Sequence, residues 1–163
     1  MGFQNSLSML YSGMKLEREI SQQTFRNEYQ RATINLLFTH NWLENRLTDF
    51  FKQFDLTLQQ YNIMRILKGQ YPQPISTAGI RERMIDRMSD ASRIVDRLYK
   101  KGLVERKVCD RDKRLVDITL SETGVELMNT LESTTDHIDS FLMRLSPDET
   151  RQLNSLLDKI RGD

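Results

Sequence analysis

The side chains that most often carry catalysis are few and widely separated in this sequence. The two histidines, His40 and His137, lie far apart and do not have the spacing of metal ligands. A single cysteine, Cys109, excludes an internal disulfide and a site built from several thiolates. The sequence also contains no glycine-rich phosphate loop and no nucleophile motif. We therefore expect neither an enzyme nor a bound metal or other cofactor.

Positive charge is concentrated in one part of the chain, although the net charge of the whole sequence is only +1. Residues 81–114 carry twelve Lys or Arg against seven Asp or Glu, a local net charge of +5. Residues 121–163 carry four bases and nine acids, a net charge of −5. A basic segment of this kind can present a face to a polyanion even when the total charge is near zero. The alternative is a solvated surface of mixed charge.

The residue pattern in and around the basic segment predicts three short helices followed by a β-hairpin. Thr57 and Gln60 form a capping-box pattern that opens the first helix, and Gly69 can end it after Lys68. The predicted helices span 57–68, 76–85 and 89–101, and the predicted strands span 103–108 and 115–120. The hairpin would carry a basic tip between its strands.

Longer amphipathic helices are predicted on both sides of this region. Residues 24–54 carry two apolar stripes, residues 121–145 carry one, and Ser146 with Pro147 opens a final helix. A helix that is apolar on two sides must be covered on two sides, either by its own chain or by a partner subunit; both alternatives stay open. The expected fold is mainly α with a small β-hairpin wing. The expected division is an N-terminal extension with the first long helix, a central region of short helices and a hairpin, and a C-terminal pair of helices, at 1–54, 55–120 and 121–163.

The order of three helices and a hairpin is typical of a winged helix-turn-helix that binds double-stranded DNA. A short helix preceded by a tight turn can enter a major groove about 12 Å wide. The predicted 89–101 helix begins with small and polar residues, and Arg93 has the reach for a bidentate guanine contact. Asp90 could accept a hydrogen bond from cytosine or could instead satisfy the start of the helix. The candidate DNA-binding residues are Ser89, Asp90, Ser92, Arg93 and Arg97 on the helix and Arg111, Lys113 and Arg114 at the hairpin tip.

Two stretches resemble the MarR family of transcriptional regulators. Residues 93–104, RIVDRLYKKGLV, are similar to that family's recognition helix and the strand that follows it. Residues 112–124, DKRLVDITLSETG, resemble its wing signature, in which an Asp and an Arg two positions apart precede the return strand. The matching positions are Asp112, Arg114, Ile118, Leu120, Ser121 and Gly124. The resemblance covers about residues 30–160, although residues 84–89 lack the glycine that the family often has there.

The resemblance implies a triangular homodimer in which the helices of 1–54 and 121–163 intertwine as dimerisation helices. It also implies that the two winged helix-turn-helix domains, residues 55–120 of each subunit, bind one face of a pseudo-palindromic operator. It implies that Arg114 reaches toward the minor groove and that Asp112 holds it by a salt bridge. The alternative for this pair is an ion pair that stabilises the turn without contacting DNA. The resemblance also favours a repressor over an activator.

Many members of this family release DNA when a small aromatic or phenolic ligand binds. The resemblance makes five residues candidates for such an effector pocket, and the alternative for each is ordinary packing. They are Phe38, His40 and Trp42 on the first long helix and Tyr61 and Arg65 on the next helix.

Two alternative functions stay open on the sequence alone. One is a protein-interaction adaptor that uses the same fold without binding DNA. The other is a redox-responsive regulator, because cations flank Cys109 and nearby positive charge favours the reactive thiolate. The sequence has neither a signal-peptide pattern nor a long apolar run, so the expected location is the cytoplasm, with no membrane partner.

Overall fold

A computed structural model describes residues 15–108 and 116–162. The helices are α1 (Leu16–Glu19), α2 (Glu28–Lys52), α3 (Leu58–Lys68), α4 (Thr77–Arg83), α5 (Ala91–Lys100), α6 (Glu122–Glu132), α7 (Thr135–Asp139) and α8 (Pro147–Arg161). The strands are β1 (Ile75–Ser76), β2 (Val104–Val108) and β3 (Val116–Leu120). The chain divides into two compact units, Met1–Asn45 and Arg46–Asp163. Among the described residues, no helix combines the length and apolar character needed to cross a membrane.

The first unit contains α1 and most of α2. Helix α2 begins four residues later than the pattern predicted, because the Asn27 side chain accepts a hydrogen bond from the Gln30 amide at 2.9 Å and so caps the helix there. The Arg31 guanidinium donates from Nε to Glu17 Oε1 at 2.9 Å. This ion pair joins α2 to α1 within the unit.

The second unit begins its helix-turn-helix with the predicted capping box. The Gln60 amide donates to Thr57 Oγ1 at 3.2 Å, and the Thr57 amide donates to Gln60 Oε1 at 3.1 Å. Two backbone N–H groups that the helix leaves unpaired are thereby satisfied. Helix α3 ends at Lys68 with Gly69 as its C-cap, so both ends of this helix are confirmed.

The hydrophobic core of the second unit lies where α3, α4 and α5 meet the sheet. The most deeply buried large side chains are Phe51, Ile63, Met64, Leu67, Ile80, Val95, Leu98 and Ile118. The Phe51 ring stacks on Tyr61 with 4.1 Å between ring centroids. Burial of these side chains holds α5 against the unit by its apolar face and leaves its polar face outward.

The sheet is antiparallel in the order β1-β3-β2. The predicted hairpin is confirmed, and its register pairs Val104 with Leu120 and Val108 with Val116. Ile118 and Leu120 are buried, whereas Val116 is 39% exposed because the far end of the hairpin extends beyond the core. Strand β1 was not predicted. It is two residues long, and it forms only because Ile75 lies beside Ile118 in the folded chain.

The prediction of one unbroken helix from Ser121 to Leu145 is wrong. Helix α6 ends at Glu132, and the short α7 follows after Ser133 and Thr134. The Ser133 hydroxyl donates to the Thr130 carbonyl at 2.7 Å, and the Thr134 hydroxyl donates to the Leu131 carbonyl at 2.8 Å. Hydroxyl side chains that bond to the preceding turn compete with continuation of the helix, which explains the break.

The apolar seam of that region packs within its own chain over most of its length. Leu131 is part of the core, and Leu127 and Ile138 pack against it, whereas Leu142 is 41% exposed. Helix α8 differs, since none of its described residues is buried and its apolar Leu156 and Ile160 are exposed. The predicted start of α8 is confirmed by a capping box at Ser146.

Candidate nucleic-acid interface

Helix α5 separates an apolar face from a polar one. Ala91, Val95 and Leu98 are 3% or less exposed and hold the helix on the core. The spacing of four and three residues places them on one side of the helix, so Ser92, Arg93, Arg97 and Lys100 lie on the solvent side. The outward face therefore carries three cations and a hydroxyl on a rigidly supported helix.

Ser89 precedes the helix, so the prediction that the helix begins at Ser89 is wrong. Asp90 is the N-cap: its Oδ1 accepts from the Arg93 amide at 3.2 Å. The Asp90 Oδ2 lies 3.1 Å from Arg93 Nε, so the two oxygens of one carboxylate engage the backbone and side chain of the same residue. This arrangement matches the interpretation that Asp90 satisfies the helix start. The Arg93 side chain remains 81% exposed.

The turn between α4 and α5 is organised by Asp86. Its Oδ1 accepts from the Met88 amide at 2.9 Å and its Oδ2 accepts from the Ser89 hydroxyl at 2.6 Å. The Ser89 hydroxyl bond and then the Met88 amide bond hold the pKa of the Asp86 carboxyl below its ordinary value, because both favour the charged form. Asp86 was not among the predicted site residues, although an Asp that accepts hydrogen bonds from the residues two and three positions later is a known turn signal.

The lowered pKa of Asp86 has a measurable consequence. A carboxyl group whose pKa falls on folding stabilises the turn above its ordinary pKa, and the stabilisation is lost as the pH falls through the lowered value. We expect the amide resonances of Met88 and Ser89 to shift with a midpoint below the ordinary aspartate range, measured by NMR titration. The Asp86→Asn variant should abolish that transition. A midpoint at or above the ordinary range would show that Asp86 does not hold the turn.

Among the described cations of the 81–114 segment, Arg106 and Lys101 brace the fold. The Arg106 guanidinium on β2 donates to Asp96 Oδ1 on α5, and its Cζ lies 5.0 Å from the centroid of the Tyr99 ring. Lys101 follows α5, and its Nζ lies 3.0 Å from Asp55 Oδ2. These contacts tie α5 to the hairpin on one side and to the turn that precedes α3 on the other. The charge count alone could not separate them from cations that are available to a ligand.

A hollow of about 600 Å³ opens beside the start of α5; we call it the helix-start hollow. Its lining includes two guanidinium groups, three hydroxyl groups, one carboxylate and one large apolar side chain. These residues are Arg81, Arg87, Thr77, Ser89, Ser92, Asp90 and Met88. Cations and hydroxyls around an open cavity suit a polyanion that offers hydrogen-bond acceptors.

The predicted residues of the wing tip lie outside the described residues. This set contains Cys109, Arg111, Asp112, Lys113 and Arg114. The described part of the hairpin ends at Val108 on β2 and begins again at Val116 on β3. These two residues pair with each other across the strands. The proposed roles of these five residues stay predictions.

The residues predicted for an effector pocket divide between the two units. In the first unit, Phe38 and Trp42 are half-buried, and His40 Nε2 lies 3.7 Å from Glu44 Oε2. In the second unit, Tyr61 packs on Phe51, and burial raises the pKa of its phenol. Arg65 is exposed and donates to Asn62 Oδ1 at 3.1 Å. Packing on Phe51 gives Tyr61 a structural role, and the ligand-binding role of this set stays a prediction.

Comparisons with known proteins place this arrangement in a family. The sequence model of the MarR family matches residues 56–116. The crystal structure of a MarR transcription factor from Planctomyces limnophilus is 30% identical, with 83% of this chain and 98% of that chain covered and a TM-score of 0.65. The HTH-type transcriptional regulator PecS of Dickeya dadantii (strain 3937) is 25% identical over 120 residues, which are 72% of each protein. A mutant MarR from E. coli complexed with operator DNA shares the fold with a TM-score of 0.74 at 21% identity, covering 85% of this chain and 99% of that one.

The fold is thus a winged helix-turn-helix of the kind found in transcriptional regulators. The chain belongs to the MarR family of transcriptional regulators. Both sequence relatives named above are regulators of transcription rather than enzymes.

Proposed function

We propose that this protein binds duplex DNA as a homodimer by placing α5 of each subunit in a major groove. The observation that carries the proposal is the outward face of α5, where Ser92, Arg93 and Arg97 stand on a helix whose opposite face is buried in the core. A rigidly held helix with long cationic side chains can reach both base edges and phosphates. The solved MarR complex with operator DNA, which shares the fold, supports this assignment.

Each subunit would contribute a second contact through its wing. The residues at the wing tip, Arg111, Lys113 and Arg114, would bind neighbouring phosphates or the minor groove, with Asp112 orienting Arg114. Arg106 supports this geometry, because its contacts with Asp96 and Tyr99 hold β2 against α5. Ser89 and Asp90 would lie at the edge of the surface that contacts the major groove, and Asp90 would fix the position at which α5 begins.

The unburied apolar side chains at both ends of the chain support a homodimer. Leu156 on α8 is 51% exposed and Ile160 is 67% exposed, while Leu37 on α2 is 60% exposed. Leu156 and Ile160 are four residues apart and so share one face of α8, and an apolar helix face suits packing against a partner. We propose that these helices pair two subunits, so that two α5 helices lie about one DNA turn, ~34 Å, apart. Occupation of the operator would repress transcription by excluding polymerase.

The test is selection of bound duplexes from a random DNA library, followed by titration of the best duplex at two salt concentrations. We expect a pseudo-palindrome with a dissociation constant of about nanomolar. The logarithm of the association constant should fall linearly with the logarithm of the salt concentration, with a slope of about −0.9 for each neutralised phosphate. The slope distinguishes a DNA-binding protein from an adaptor on the same fold. Failure to enrich any duplex, or a flat salt dependence of the best duplex, would overturn the proposal.

A further inference from the structure

Two large apolar side chains stand in water on the segment that leads into α5. Met88 is 93% exposed and Ile85 is 82% exposed. A side chain that exposed contributes almost no hydrophobic stabilisation to the folded chain. Burial in the core therefore does not account for apolar residues at these positions.

The segment is nevertheless held in place on both sides of Met88. Asp86 accepts from the Met88 amide and from the Ser89 hydroxyl, and the Ser89 amide donates back to the Asp86 carbonyl at 3.4 Å. Met84 before the segment is 4% exposed and Ala91 after it is 3% exposed, so both ends are anchored in the core. The backbone thus presents the Met88 side chain from a defined position.

Met88 shares its surroundings with the start of α5. It lines the helix-start hollow together with Ser92, and the guanidinium groups of Arg81 and Arg87 line the same hollow. The Asp90 carboxylate also lines the hollow, and it is paired with Arg93. A ligand that fits this lining carries negative charge near the two guanidinium groups, hydrogen-bond acceptors and a small apolar group. Among the four base pairs, only those with thymine present a methyl group in the major groove, next to an acceptor oxygen and between flanking phosphates.

We propose that Met88 is a specificity-determining residue that contacts the 5-methyl group of a thymine in each half of the operator. The inference rests on the proposed DNA-binding function and names the base chemistry that this function would select. The unbranched thioether of methionine can adapt its shape to a methyl group at the edge of the groove. The Ser92 hydroxyl, in the same hollow, would bond a base edge beside it.

The experiment replaces thymine by deoxyuridine, which removes only the methyl group, at each thymine of the selected operator in turn. We expect one position in each half-site at which the wild-type protein loses affinity about fourfold, and about fifteenfold when both half-sites are changed. This is the ratio expected when burial of one methyl-sized group is lost. The Met88→Ala variant removes the thioether, and the Met88→Gln variant keeps the length of the side chain but makes it polar. In both variants the ratio of the affinity for the thymine duplex to the affinity for the uracil duplex should fall to about one at that position.

Met143→Ala is the matched control, since it removes the same side chain from another exposed position, 65% exposed and outside the lining of the hollow. It should keep the wild-type thymine-to-uracil ratio. The inference is overturned if no thymine methyl affects binding, or if the ratio in Met88→Ala equals that of the wild type. Either result leaves DNA binding itself intact, whereas a protein that selects no duplex overturns the proposed function together with this inference.

Discussion

Replacing Arg93 by alanine is expected to weaken binding to the selected operator about a hundredfold. Arg93 stands in the first turn of α5 with 81% of its side chain exposed, and its amide is held by the Asp90 cap. A bidentate contact between an arginine and a guanine discriminates by about 1–3 kcal/mol, and a dimer would lose two of them. Fluorescence anisotropy of a labelled duplex at fixed salt measures the loss, and sedimentation verifies that the dimer is retained.

Helix α8 offers a matched control for this variant. Arg151 pairs with Asp148 three residues earlier in the first turn of α8, as Arg93 pairs with Asp90 in α5, and its side chain is 72% exposed. Arg151→Ala removes the same side chain from another exposed ion pair between residues three apart near the start of a helix, and we expect the operator affinity to stay within about twofold. Equal losses in the two variants would mean that Arg93 acts through general charge. An unchanged affinity in Arg93→Ala would remove Arg93 from the interface.

Gly124→Ala is expected to lower the free energy of unfolding by about 3 kcal/mol, at the upper end of the usual cost of overpacking. A Cβ atom at Gly124 would lie 2.1 Å from the Leu103 carbonyl oxygen, which belongs to the backbone and cannot turn aside. The same carbonyl accepts from the Ser121 amide at 3.2 Å, so the start of α6 is bonded directly to the chain entering β2. Displacing α6 to admit the methyl group would break this junction. Thermal or urea unfolding followed by circular dichroism measures the change.

The Gly102→Ala variant measures the cost of backbone strain at a position where the added methyl group meets no steric crowding. Gly102 has a φ of +70°, and a Cβ atom there would meet no described atom within 4 Å. Only the left-handed conformation opposes a side chain at this position, so we expect a loss of about 1 kcal/mol. If Gly124→Ala lowers the free energy of unfolding by no more than Gly102→Ala does, the junction between α6 and Leu103 is looser than its geometry indicates.

Much of the secondary structure could be predicted because its signals lie within one helical turn. The capping boxes at Thr57 and Ser146 and the small polar start of α5 depend on residues three or four positions apart. The break between α6 and α7 was also visible in principle, because Ser133 and Thr134 stand together in the middle of the predicted helix. The prediction of an unbroken helix followed the apolar periodicity of residues 121–145 instead of this signal, and it was wrong at that point.

The candidate site was predicted less completely than the fold. The outward position of Arg93 follows from helical spacing, but the roles of other cations do not. Arg106 and Asp96 are ten residues apart, and no local pattern distinguishes an arginine that braces a hairpin from one that faces a ligand. The contribution of Met88 to the helix-start hollow depends in the same way on how the turn is held.

By itself, the sequence determined the order of the main helices and of the hairpin, the amphipathic faces of those helices and the motifs shared with the MarR family. These properties depend on neighbours along the chain, where the period of the helix or strand places each side chain. Only the tertiary structure decided that Lys101 reaches the turn at Asp55, that Ile75 forms a strand beside Ile118, and that a hollow opens at the start of α5. Such contacts join residues far apart in sequence, and they exist only once burial of the apolar faces has fixed how α3, α4, α5 and the sheet pack.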